Sequence, residues 1–155
     1  MKGSELRLIE YMEGSKKRFI IPVYQRNYDW KIENCKQLYD DLIQVIKNNS
    51  KTHFFGSIVS VYEPSGRNTE FLIIDGQQRL TTMSLLFLAL YNLLEEKIII
   101  SEDESLKDQI YEDFLVDKYQ PQEKRMKLKP IKNDQKAFSK LFNSKDDYIK
   151  DSNFL

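Results

Sequence analysis

At 155 residues, with 41% hydrophobic and 12% aromatic residues, the chain is one modest domain or part of a larger one, and disorder throughout is excluded. Lys plus Arg and Asp plus Glu both number 24, so a net charge of zero gives no support to broad non-specific nucleic-acid binding, while leaving room for a local basic patch. The lone Cys35 excludes an internal disulfide and a cysteine-built metal site, and the longest apolar run, residues 85–90, falls far below the ~20 residues that span a bilayer.

The first residues lead into an amphipathic stretch and not a signal peptide, so a soluble, cytoplasmic protein is expected. Ser4 can cap a short helix carrying Leu6, Ile9 and Met12, which Gly14-Ser15 terminates. Arg18-Phe19-Ile20-Ile21 reads as a strand ended by Pro22, and residues 23–30 follow as an aromatic and polar loop. Asp29 can cap the next helix, where Ile32, Cys35, Leu38, Leu42, Val45 and Ile46 keep helical spacing up to Asn48-Asn49-Ser50. Cys35 falls on its apolar face and reads as an inert core thiol.

Residues 53–62 predict a strand, 63–68 a turn and 70–74 the returning strand of a hairpin. A Leu-rich helix then runs to about Glu95. Two further helices, near 103–116 and 134–142, flank a short strand at Lys127-Leu128-Lys129-Pro130, with a loop at 120–123. The basic cluster at 124–129 reads best as an exposed strand edge protected by lysines. The stretch 146–155 has neither a helical stop signal nor the composition of a tail, which suggests a fragment of a longer protein.

Residues 75–82, Asp-Gly-Gln-Gln-Arg-Leu-Thr-Thr, are the most informative segment. They follow the apolar run Phe71-Leu72-Ile73-Ile74 and precede a longer Leu-rich one, so they sit where a strand hands over to a helix. There, free backbone N–H groups and the positive end of the helix dipole favour anions. Gly76 permits close backbone approach, Arg79 adds a cationic fork, and Gln77, Gln78, Thr81 and Thr82 add neutral hydrogen-bonding groups. This is the chemistry of a phosphate site. The structural alternative is that Asp75-Gly76 is a turn in which Asp75 merely caps the helix.

A second polar cluster, Tyr24-Gln25-Arg26-Asn27-Tyr28 with Trp30, sets one guanidinium between three aromatics, an arrangement that can stack a base or bind a phosphate. Its alternative is a packed aromatic corner with Arg26 paired to a carboxylate. Gln-Arg here and Gln-Gln-Arg at 77–79 suggest two halves of one anion site brought together by folding. Other constellations are weak. His53 is the only histidine, and Walker A, Gly-x-Gly-x-x-Gly and His-Glu-x-x-His patterns are lacking. The pairs Asp40-Asp41 and Asp146-Asp147 read as solvated faces.

Three blocks carry a family resemblance: Phe19-Ile20-Ile21-Pro22-Val23-Tyr24-Gln25-Arg26-Asn27-Tyr28-Asp29-Trp30, then Phe54-Phe55-Gly56-Ser57-Ile58, then Ile74-Asp75-Gly76-Gln77-Gln78-Arg79-Leu80-Thr81-Thr82. In this order and spacing, over roughly residues 5–95, the chain resembles the N-terminal domain of the GmrSD-type restriction endonucleases, related to the ParB/sulfiredoxin-like fold. The resemblance implies an α+β domain, with a core at 1–100 and a helical extension at 101–155. It implies a nucleoside triphosphate with Mg²⁺ as ligand, and nucleotide binding and hydrolysis that control cleavage of modified foreign DNA. The cleaving nuclease domain would lie elsewhere in the full-length chain or on a partner, so DNA cleavage by these residues alone is not expected.

Carried over by residue, Asp75 would hold the divalent ion or orient water, and Gln77 and Gln78 would position phosphate oxygens or the attacking water. Arg79 and Arg26 would stabilise charge on the transferred phosphoryl group. Gly56 and Ser57 would supply backbone contacts, and Tyr24 or Trp30 would meet a base; Gln25, Gly76, Thr81 and Thr82 complete the nucleotide-binding set. Two alternatives stand beside this reading: a ParB-like DNA-binding module with the nucleotide as switch, and a non-catalytic scaffold.

Overall fold

The computed structural model describes residues 3–143. Its centre is β1 (Lys17–Ile20), whose Phe19 is almost wholly buried. β2 (Val59–Ser65) and β3 (Asn68–Asp75) form an antiparallel hairpin, and β3 and the short β4 (Leu128–Lys129) each pair in parallel with β1. The sheet order is therefore β2-β3-β1-β4, a mixed sheet. In register, Phe19 stands opposite Phe71 on one side and Leu128 on the other. The Phe19 and Phe71 rings stack at 5.4 Å, and Tyr11 packs against both at 5.2 and 5.6 Å. Burying one such aromatic contributes roughly 1.5–3 kcal/mol, which makes this cross-strand cluster the natural seat of the core.

Five α-helices accompany the sheet among the described residues: α1 (Leu8–Met12), α2 (Ile32–Lys47), α3 (Gln77–Glu95), α4 (Leu106–Ile110) and α5 (Lys132–Asn143). Leu38 of α2, Leu80 and Met83 of α3 and Phe138 of α5 join Met12, Phe19 and Ile73 in the main core. α3 then leaves that core and enters a second cluster, where Leu88 meets Ile110, Leu115 and Val116 and Phe87 stacks on Phe114 at 4.3 Å. An apolar surface nearly all round suits a helix that must satisfy two cores in succession. The result is an α+β fold, as the alternation of strand and helix signals predicts.

Several elements differ from the sequence reading. The strand expected from His53 begins only at Val59. Val59 already pairs with Asp75, and beyond Asp75 the chain turns into α3, so residues 53–58 have no β3 backbone left to pair with. At its other end β2 continues through Pro64 to a two-residue turn at Gly66-Arg67. Proline is tolerated there because β2 is an edge strand. α1 starts at Leu8 with Arg7 as its cap residue, not Ser4. Asp29 does not cap α2; Lys31 occupies that position and its N–H donates to the Asn34 side chain at 2.8 Å. The helix expected over 103–116 is α4 followed by one π turn, Tyr111–Leu115, and the loop expected at 120–123 runs into a 3₁₀ turn, Gln122–Lys124.

The largest correction concerns Lys127, read from sequence as part of an exposed, lysine-protected edge. It is 1% exposed. Its ammonium donates to the carbonyls of Met12 (2.7 Å), Gly14 (2.6 Å) and Asp113, tying the end of α1 to the π turn. Three donors meeting three carbonyls is how a buried lysine becomes tolerable. Burial, reinforced by nearby Lys17, pushes its pKa down to about 8. Buried Asp117 plays the complementary part. Burial opposes its ionisation, but accepting from the Lys16 N–H at 3.0 Å and the Tyr119 N–H at 3.1 Å holds its pKa below the ordinary value. Asp40 of the first acidic pair bonds Lys36, and Asp41 accepts from Gln37 at 2.9 Å. The pair Asp146-Asp147 and the stretch 146–155 lie outside the described residues.

Candidate phosphate site at the start of α3

The strand β3 ends at Asp75 and α3 begins at Gln77, so one residue must reverse the chain. Gly76 does so with φ +90°, and a Cβ there would lie 2.9 Å from the Ser57 carbonyl oxygen. Both conformation and space therefore require glycine. Asp75 does not cap the helix; Gly76 is the cap residue and no side chain bonds the first turn. The first N–H groups of a helix have no intrahelical carbonyl to meet, so the N-terminus of α3 offers donors and a positive dipole end to an anion.

The segment before β2 closes over Arg79. Its guanidinium donates from Nη2 to the Ser57 carbonyl at 2.6 Å. Gly56, at φ +107°, lies so near that a Cβ would stand 2.9 Å from Arg79 Cζ and Nε. Glycine at 56 thus lets the chain wrap the guanidinium, which explains why Phe54-Phe55-Gly56-Ser57 bends away from strand geometry. Phe54 is left 82% exposed.

The second polar cluster is brought to the first by hydrogen bonds to its main chain. Gln77 donates from Nε2 to the Arg26 carbonyl at 3.1 Å. Gln78 donates to the Asn27 carbonyl at 3.0 Å and accepts from the Asp29 N–H at 3.0 Å. Gln25 reaches back to the Ile74 carbonyl at 2.8 Å, and the Tyr28 N–H donates to Asp134 at 2.7 Å. Thr82 donates to the Gln78 carbonyl at 2.8 Å, so the Tyr28 hydroxyl, 2.8 Å from Thr82 Oγ1, donates to it and leaves Cys35 to donate to Tyr28. Burial, then the Cys35 contact, raises the Tyr28 pKa well above the ordinary tyrosine value. Both amide groups of Gln78 are thus engaged in holding the loop, and Gln77 retains only its Oε1, which is buried without a partner.

Between the loop and the strand–helix turn lies a cleft of about 180 Å³, lined by Gln25, Arg26, Trp30, Asp75, Gly76, Gln77, Gln78 and Arg79. Every one of these is a candidate named from sequence. Arg26 remains two-thirds exposed and pairs with Asp29 at 3.2 Å. Tyr24 is 70% exposed and does not line the cleft; Gly56 and Ser57 back Arg79 from outside it; Thr82 is buried beneath the loop. Thr81 lines a neighbouring cavity of about 700 Å³, which shares Arg26, Trp30, Gln77 and Gln78 with the cleft and adds Tyr28, Leu85, Asp134 and Phe138. Sequence reasoning missed Asp134, which holds the loop from more than a hundred residues away. A lone aspartate in the first turn of α5 gives no local sign of that partner. Among the described residues no three His, Cys, Asp or Glu side chains cluster as a metal site, and no helix is long and apolar enough to cross a membrane.

Comparison with curated proteins found none that matches. The description "GmrSD restriction endonuclease, N-terminal domain" matches residues 8–154, nearly the whole length. Its span includes the loop, the wrapped arginine and the strand–helix turn, and the chain belongs to that restriction and phage-defence family.

Proposed function

We propose that this domain binds a nucleoside triphosphate with its phosphates at the N-terminus of α3, and that nucleotide turnover there licenses cleavage of modified foreign DNA by a separate nuclease domain. One observation carries the reading. The uncapped start of a 19-residue helix opens into a cleft that is also lined by two arginines, Arg26 and Arg79. Uncapped N–H groups, a helix dipole and two guanidinium forks are the groups that recognise phosphate oxygens.

The residues present also fit a magnesium ion carried by the nucleotide. Asp75, exposed at the lip of the cleft, supplies one carboxylate, and Mg²⁺ characteristically takes its other ligands from phosphate oxygens and water. When bound, the ion would neutralise phosphate charge. Arg79, fixed by Ser57 and wrapped by Gly56, stabilises negative charge without first having to be ordered. Gln78 acts through the loop, holding Arg26 and Trp30 at the cleft.

Calorimetry of ATP, GTP, CTP and UTP with Mg²⁺ tests this on the chain itself. At least one should bind saturably, and Arg79→Ala should weaken it about 100-fold, since a charge-assisted hydrogen bond contributes roughly 1.5–3 kcal/mol. Absence of binding to this chain and to the full-length protein would overturn the proposal.

A further inference from the structure

We infer that the cavity of about 700 Å³ beside the cleft is the base pocket of the nucleotide, with α5 as one of its walls; this rests on the nucleotide reading above. The cavity draws on segments far apart in the chain. Tyr28 and Trp30 come from the loop, Leu85 from α3, and Ala137, Phe138 and Leu141 from α5. These six give it an apolar and aromatic wall, while Lys31 and Glu33, which also line it, are exposed to solvent. Its volume falls within the roughly 300–1,000 Å³ usual for small-molecule sites.

Position selects the occupant. The cavity and the cleft at the start of α3 share Arg26, Trp30, Gln77 and Gln78, so the two compartments meet along those side chains. A ligand with phosphates on the helix N-terminus and a flat, largely apolar group a few bonds away would enter both. A nucleobase is such a group: its faces stack on aromatic rings, and its edge carries hydrogen-bonding atoms suited to a partly polar rim. Trp30 is the single tryptophan of the chain and borders both compartments. The α5 wall is held by protein contacts alone. Phe138 is 5% exposed in the main core, and Asp134, in the first turn of α5, accepts the Tyr28 N–H at 2.7 Å. A wall already in place lowers the ordering cost of binding. The base would then bridge the loop and α5, two parts of the chain more than a hundred residues apart.

The test compares nucleoside triphosphates with inorganic tripolyphosphate, each with Mg²⁺, by calorimetry on this chain. Tripolyphosphate carries the phosphates without the base. The tightest-binding nucleoside triphosphate should exceed it about 10-fold or more in affinity, the order of effect that stacking of one base produces. It should also quench Trp30 fluorescence, corrected for nucleotide absorbance, more than saturating tripolyphosphate does. Trp30→Ala removes stacking surface and Ala137→Phe fills the cavity from α5. Each should bring the ratio of the two affinities towards one, with tripolyphosphate binding retained. Equal affinity of nucleotide and tripolyphosphate for the wild-type chain would overturn the inference while leaving the phosphate site intact. Folded variants that both keep the wild-type ratio would overturn it too. Failure of every one of these ligands to bind would overturn the nucleotide reading and the inference with it.

Discussion

Lys127 and Arg79 are both basic side chains held by main-chain carbonyls, one in each of the two polar motifs that stand out in the last two-thirds of the chain. Lys127 has every donor engaged, at Met12, Gly14 and Asp113, and is 1% exposed. Arg79 has one guanidinium nitrogen on the Ser57 carbonyl and lines a cleft. The difference separates a cation that pins the fold from one placed where the proposed phosphate site needs it. A cation whose donors are exhausted pins the fold, and one that is oriented with donors to spare is available to a ligand.

Removing the pin should produce the largest effect. Lys127→Met keeps the bulk of the side chain but orphans three buried carbonyls, and should cost on the order of 3 kcal/mol, lowering Tm by roughly 10 °C. Nucleotide affinity of the folded protein should be unchanged. Arg79→Ala should do the reverse, weakening nucleotide binding about 100-fold with less than about 1 kcal/mol lost in urea unfolding. A large stability loss in Arg79→Ala, or lost affinity in folded Lys127→Met, would break the comparison.

Gly76→Ala lies between these, because it touches both fold and site. Its φ of +90° and the Ser57 oxygen 2.9 Å from a Cβ should cost about 2 kcal/mol and displace the helix start, so unfolding and nucleotide titration should both respond.

Solution pH sharpens the assignment of Lys127. Its folded pKa, about 8, lies below the ordinary 10.5, so between these values the unfolded chain holds the extra proton. Stability should therefore rise with pH from 8 towards 10, on the order of 1 kcal/mol, with the penalty fully present below 8. Above 10 the raised pKa values of Tyr11 and Tyr28 act in the opposite sense. Chemical denaturation of wild type and Lys127→Met at pH 7, 8 and 9 should show the rise only in wild type. The smallest expected effect is Tyr28→Phe, about 1 kcal/mol, from loss of the hydroxyl contacts with Thr82 and Cys35.

Much of the arrangement was legible from local chemistry. The hairpin, β1 and the strand-to-helix handover at residues 75–77 follow from apolar runs and turn residues, and the cleft is lined by the two segments that share the Gln-Arg pattern. What escaped was every feature set by distant partners. A lysine-rich stretch looks solvated until three carbonyls from residues 12, 14 and 113 converge on one ammonium. Residues 53–58 carry strand-forming aromatics, yet β3 has no backbone left opposite them. Asp75 and Asp29 each have the composition of a helix cap, but the glycine reversal and Lys31 take those positions. The glutamines read as phosphate ligands, whereas their amides are largely committed to loop carbonyls.

The central claim is that phosphate sits on the N-terminus of α3. Backbone amide NMR of the isotope-labelled chain during titration with a nucleoside triphosphate and Mg²⁺ addresses it directly. The N–H signals of Gln77, Gln78 and Arg79 should move the most, saturate together, and stay unmoved in Arg79→Ala at the same concentrations. Saturating shifts confined to other parts of the chain, with those three amides still, would contradict it.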